Sequence, residues 1–212
     1  MVPVWLSTGT GGNAHRPSVT ATVYSDDAGK TWKAGEIAVP CTDEWINPNE
    51  TVAIELADGR VMLNVRSESK AHRRLITTSK DGATGWSTPT FDDALLEPIC
   101  MGGIVRYSLE PNTRILFSNP HNLEGGREGK PKPGKSRARK NVSVKLSYDE
   151  GQTWAVNKTI EPGPSMYSDI AVAHDGTILC FYGAGAKPGF AGQGLTLARF
   201  NLEWLTDGKD KL

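Results

Sequence analysis

Apolar residues in this chain fall in short runs, many alternating with polar ones, and most runs stop at Gly, Pro, Asp or Asn. A period of two marks a half-buried strand, and such punctuation marks the turns between strands. The pattern predicts strands over Val2–Leu6, Val19–Tyr24, Thr51–Leu56, Val61–Val65, Leu75–Thr78, Ile104–Tyr107, Arg114–Phe117, Val142–Leu146, Ile170–Ala173, Ile178–Tyr182 and Leu195–Phe200. Ala57-Asp58-Gly59-Arg60 and His174-Asp175-Gly176-Thr177 are expected to close hairpins, because Asp-Gly readily takes the positive φ that tight turns need. No long segment repeats with a 3.6-residue period, so little helix is expected.

One turn is written more than once. SDDAGKTW places Ser25, Asp27, Gly29 and Trp32, and SYDEGQTW places Ser147, Asp149, Gly151 and Trp154. SKDGATGW keeps Ser79, Asp81 and Trp86 but has Ala83 at the Gly position. Each copy follows a strand. The expected logic is a folded turn in which the Asp carboxylate accepts backbone N–H groups, Gly permits the bend and Trp packs beneath. The copies start at residues 25, 79 and 147, so they lie 54 and 68 residues apart. That spacing suits one four-stranded blade with its loops, which points to an all-β, β-propeller architecture.

Composition supports strands and narrows the chemistry. Gly 23 and Pro 13 in 212 residues are high for a helical protein. Lys+Arg 24 against Asp+Glu 24 gives no net charge, so no global field favours nucleic acid. Residues 121–140 are rich in bases, Gly and Pro. They read as a solvated loop, and the alternative of a nucleic-acid arm lacks interleaved aromatics. No apolar run is long enough for a membrane span, and no signal peptide is visible. Cys41, Cys100 and Cys180 are far apart and are expected to be small buried residues. His15, His72, His121 and His174 show no paired ligand spacing, so no metal is expected.

Four residues are candidates for chemistry. Glu50 opens the strand of NPNETVAIELADGRVMLNVRSES, and Arg66 closes the next. The two ends of a hairpin lie side by side, so both can face one site. Arg139 enters a strand from the basic loop, and Tyr167 is expected at a strand start after a Gly/Pro turn. Taken singly, the first two are more often surface charges, Arg139 a solvated loop base and Tyr167 a packing residue.

Taken jointly, these segments resemble the C-terminal half to two-thirds of a sialidase of the six-bladed exo-α-sialidase family. In that family a Glu opens a hairpin of the form NE…DGR…LN.R, as at Glu50 and Arg66. An active-site Arg precedes the strand into an Asp box, which RKNVSVKLSYDEGQTW matches at Arg139, and the Tyr of SMYSDI corresponds to the nucleophile at Tyr167. LARFNLEWL looks like the family's last strand. The resemblance implies a six-bladed propeller of which this chain holds the C-terminal three to four blades, with residues 1–212 as one partial catalytic domain. It implies an enzyme that releases terminal sialic acid from sialylated glycoconjugates without cofactor, and that is secreted or periplasmic in its full length.

The implied chemistry fits these residue types. Sialic acid carries a carboxylate on its anomeric carbon, which Arg66 and Arg139 would grip through charge-assisted hydrogen bonds. A neutral phenol approaches that anion without the repulsion a carboxylate would meet, and sialidases are the Tyr exception among glycosidases. Glu50 would take the phenol proton. Reference pKa values near 10 and 4.3 set the uncorrected cost at roughly 8 kcal/mol, which nearby arginines reduce.

The family's first arginine, in an Arg-Ile-Pro segment, and its Asp acid/base have no counterpart here. Relatives often carry Glu where Gly183 stands. The isolated chain is therefore expected to be poorly active. The alternative is a non-catalytic carbohydrate-binding Asp-box propeller or an inactive sialidase fragment.

Overall fold

The computed structural model describes residues 1–9, 15–125, 137–185 and 194–211. The apolar runs become strands, and consecutive strands pair antiparallel as meanders. Contacts divide the chain into two compact units, one spanning Met1–Ile99 and the other formed by the described residues from Cys100 onward.

The first unit holds two sheets. β1 (Val2–Ser7), β2 (Ser18–Tyr24) and β3 (Lys33–Val39) form a three-stranded sheet in chain order. β4 (Thr51–Glu55), β5 (Val61–Val65), β6 (Arg73–Ser79) and β7 (Thr90–Leu96) form a four-stranded one. The predicted Asp58-Gly59 turn joins β4 to β5, with Gly59 at φ 83° and the Arg60 N–H donating to Asp58 Oδ1 at 3.1 Å. Ala38, Val39, Leu63, Val65 and Leu75 are buried together, with Trp45, Trp86 and Phe91 against them. Each fully buried Leu or Val contributes roughly 1.5–3 kcal/mol. Arg74 is also fully buried. It donates to Glu97 Oε2 at 2.5 Å and to Asn64 Oδ1 at 2.6 Å, so its charge is paired and hydrogen-bonded.

The second unit is one six-stranded sheet built of two meanders that share a strand. β8 (Gly103–Ser108), β9 (Arg114–Pro120) and β10 (Lys140–Ser147) pair in order, and β10 pairs with the first part of β11 (Val156–Val172). The second part of β11 pairs with β12 (Ile178–Ala184), and β12 with β13 (Gly194–Phe200). Val142, Val144 and Leu146 alternate along β10 into a core with Leu116, Ile170, Ile178 and Cys180. A short helix, α1 (Leu202–Leu205), buries both its leucines on that core, and the Asn201 side chain caps it by accepting from the Trp204 N–H. The predicted last strand is therefore β13, and the Glu203-Trp204-Leu205 end of that motif is helical.

All three repeated turns fold alike. Ser25 Oγ donates to Asp27 Oδ1 and accepts from the Gly29 N–H, both at 2.8 Å, while Thr31 N–H and Oγ1 donate to the two Asp27 oxygens. Ser147, Asp149, Gly151 and Thr153 repeat this pattern bond for bond. In the Ser79 copy the Thr comes one residue sooner after the Ser. Thr84 takes the Thr role on Asp81, and Gly82 supplies the positive φ of 70°. These bonds, with the Thr hydroxyl foremost, hold the Asp27 carboxyl down at about 2. Trp32 is half-exposed rather than tucked beneath its turn, with Nε1 donating to the Gly29 carbonyl.

Candidate active site

Glu50 and Arg66 sit at the open end of the β4–β5 hairpin. The ladder from Glu55↔Val61 to Thr51↔Val65 continues one step beyond the strands, with the Asn49 N–H donating to the Arg66 carbonyl at 2.9 Å and the Arg66 N–H to the Glu50 carbonyl at 3.2 Å. Register thus brings the two side chains together. Arg66 Nη1 donates to Glu50 Oε2 at 2.5 Å and to Asn49 Oδ1 at 3.1 Å. The arginine is buried, and its Nε lies among the buried donors with no hydrogen-bond partner among the described residues.

A polar chain props this pair. Asn49 Nδ2 donates to the Asn47 carbonyl, and Asn47 Nδ2 to Glu68 Oε2, both at 3.0 Å. Arg16 Nε donates to both Glu68 oxygens at 2.7 Å. Burial alone would push the Glu68 carboxyl up, but the Arg16 and Asn47 hydrogen bonds and the charges of Arg16 and Arg66 together hold it below its ordinary value. Sequence reasoning missed Asn49, Asn47, Glu68 and Arg16. The NPN turn before Glu50 and the acid two residues after Arg66 were the available signals.

Arg139 and Tyr167 meet in the second unit. The Arg139 guanidinium lies over the Tyr167 ring, 4.9 Å from its centroid, within cation–π range. The buried Ser165 ties them: its N–H donates to the Arg139 carbonyl at 3.1 Å, and its Oγ accepts from the Val142 N–H at 2.9 Å. Tyr167 is 39% exposed. It does not start a strand as expected but lies inside β11, where the chain passes from β10 as partner to β12. Arg139 itself is half-buried just before β10. Of the basic loop, residues 126–136 lie outside the described residues.

The cysteines are unbridged, with Cys100 and Cys180 buried and burial pushing the Cys180 thiol up to about 12. Cavities around Tyr107 and around Trp204 are lined by none of the four candidate residues.

Repeated Asp-box turns on consecutive β-meanders, with a paired Glu–Arg and a paired Arg–Tyr beside them, define an Asp-box propeller protein. The chain belongs to the BNR repeat-like domain family, whose model matches residues 4–180. A sialidase from Micromonospora viridifaciens is 34% identical over 199 residues, covering 91% of this chain and 27% of that protein. A sialidase from Vibrio cholerae is 28% identical over 169 residues, covering 70% of this chain and 20% of that protein. Among solved structures, the Hadza microbial sialidase Hz136 superposes with a TM-score of 0.66 at 23% identity, over 89% of this chain and 33% of its own. The NanB sialidase from Streptococcus pneumoniae gives 0.67 at 18% identity, over 88% and 28%. The fold is thus the sialidase-type propeller, and the chain spans about a quarter or less of the length of the curated relatives it matches.

Proposed function

We propose that this chain forms the C-terminal three to four blades of an exo-α-sialidase, residues 1–212 being part of one catalytic propeller that acts on sialylated glycoconjugates outside the cytoplasm. The observation that carries the proposal is the exposed Tyr167 phenol beneath the Arg139 guanidinium. A structural tyrosine has no need of a cation on its open face. A phenol that must lose its proton gains from one, because positive charge stabilises the developing phenolate.

In this reading Tyr167 Oη attacks the anomeric carbon of sialic acid as the glycosidic C–O bond breaks. Glu50 takes the phenol proton. Arg66 and Arg139 hold the substrate carboxylate. The aglycone leaves with a proton from solvent or from an acid of the intact enzyme. Water then attacks the anomeric carbon, gives one proton back to that acid or to solvent, and the Tyr–sialyl bond breaks as Glu50 returns its proton to the phenolate. Two displacements at one carbon retain configuration. The 34% identity to a sialidase supports the reaction class, and the two side-chain pairs support the roles.

Proton NMR of the intact enzyme turning over a sialoside tests this reading. The α-anomer of the free sugar is expected first, mutarotating later; the β-anomer first would overturn the covalent mechanism. The 212-residue chain by itself is expected to hydrolyse a fluorogenic sialoside far more slowly than a complete sialidase. Turnover at a complete enzyme's rate would refute that part.

A further inference from the structure

Tyr167 does not point where an unbroken strand would send it. On β11, Ser165 faces Ala184 and Ser168 faces Tyr182, so three steps on one strand oppose two on the other. Met166 and Tyr167 together stand against the single residue Gly183. This is a β-bulge, which re-aims side chains and increases local twist. Its effect on alternation is direct. Ser165 and Ser168 are both buried, although residues three apart on a regular strand face opposite sides. In a regular strand Tyr167 would share the buried face of Ser165, two residues away. The bulge frees it to the surface beneath Arg139.

Two side chains crowd a place where the sheet offers one, and the room comes from β12. A Cβ added at Gly183 would lie 2.6 Å from Met166 Cγ and 3.4 Å from its Sδ, so the Met166 side chain rests where residue 183 would have its own. The bulge is fixed at both ends. Before it, the Gly185 N–H donates to the Pro164 carbonyl at 2.9 Å. After it, Ser168 Oγ meets the buried Ser118 Oγ at 3.0 Å.

We propose that Met166, seated over the bare backbone of Gly183, is the positioning residue for Tyr167. Resting on the nucleophile reading, the inference gives Gly183 a role of its own in this chain.

The test is volume exchange in the isotopically labelled 212-residue chain, read by the NOE between the Arg139 side chain and the Tyr167 ring. Gly183→Ala is expected to abolish the NOE, because the added methyl group displaces Met166. Gly183→Ala combined with Met166→Ala is expected to restore it, because the new methyl then takes the space that Met166 Cγ vacated. An NOE unchanged in Gly183→Ala, or lost equally in the double variant, overturns the proposal. In the intact enzyme Gly183→Ala is expected to lower kcat about ten- to a hundredfold, with recovery in the double variant. A lost and rescued NOE with kcat unmoved would leave the positioning in place and contradict the nucleophile reading instead.

Discussion

The hairpin that carries Glu50 and Arg66 keeps its register through five consecutive pairs, from Thr51↔Val65 to Glu55↔Val61. The strands that carry Tyr167 break register between Ser165 and Ser168. On the hairpin, the ladder itself delivers the two side chains to one end, and a polar chain from Asn49 to Arg16 stiffens them. On the bulge, the side chain is delivered by an irregularity that depends on what residue 183 lacks. Regular pairing is enough to place the proposed base and the proposed binding group. Turning a tyrosine out of its strand's alternation takes an extra residue and a gap to seat it.

The largest expected effect falls on this contrast. In the intact enzyme Tyr167→Phe removes the proposed nucleophile, and a loss on the order of ten-thousandfold or more in kcat is expected. Glu50→Gln removes only the proposed proton acceptor, for an expected loss of about a hundred- to ten-thousandfold. Steady-state kinetics on a fluorogenic sialoside checks both, and equal effects would remove the distinction between the two residues.

Stability should separate the units next. Arg74→Ala leaves Glu97 buried without its cation, at a cost of about 3–5 kcal/mol in the first unit. In the second unit, Arg106 donates to Glu150 of the Asp-box turn at 2.7 and 2.9 Å, with both side chains partly exposed. Arg106→Ala should cost about 1 kcal/mol there. Urea unfolding followed by tryptophan fluorescence measures the two.

Alkaline titration should reach the second unit. Burial, with help from hydrogen bonds to acids, raises Tyr148 and Tyr182 to about 12; Tyr148 donates to Asp210 and Tyr182 to Glu161. Protonated phenols are favoured in the folded state, so this stability is complete below the ordinary tyrosine value near 10 and is lost as pH rises toward 12. For the buried Tyr182 the loss is at most about 3 kcal/mol. The sign reverses at the Asp boxes. Asp27, held at about 2, stabilises its turn above the ordinary carboxylate range, and that contribution fades as pH falls toward 2. Amide NMR across about pH 2–12 resolves both windows. The smallest effect is expected at the exposed Lys33–Asp26 pair, where Lys33→Ala should leave the urea midpoint of unfolding essentially unchanged.

What the sequence made legible follows the same division. The Asp-Gly turns, the Asp boxes and the Glu50/Arg66 hairpin are local, and local chemistry decides them. β3 escaped because KAGEIAV is mostly exposed and lacks a clean apolar face. β7 escaped because Asp92 and Asp93 interrupt it, and its register shifts beside them. The first part of β11 was hidden by Pro162 and Pro164, which argue against a strand. They are tolerated where β11 exchanges β10 for β12 as partner, so the N–H groups they lack fall at a break in the ladder. The Tyr167 bulge was illegible for a related reason. It depends on Met166 and Gly183, which are well separated in the chain, and neither marks a bulge alone.

Covalent capture at Tyr167 tests the central claim most directly. A 2,3-difluorosialic acid should react with the intact enzyme by losing fluoride from the anomeric carbon as the Tyr167 oxygen bonds to it. The 3-fluorine then slows hydrolysis of the adduct. Peptide mass spectrometry is expected to find the added sialyl mass on the peptide that contains Tyr167 and to find none in Tyr167→Phe. An adduct on another residue, or full sialidase activity in Tyr167→Phe, would contradict the account.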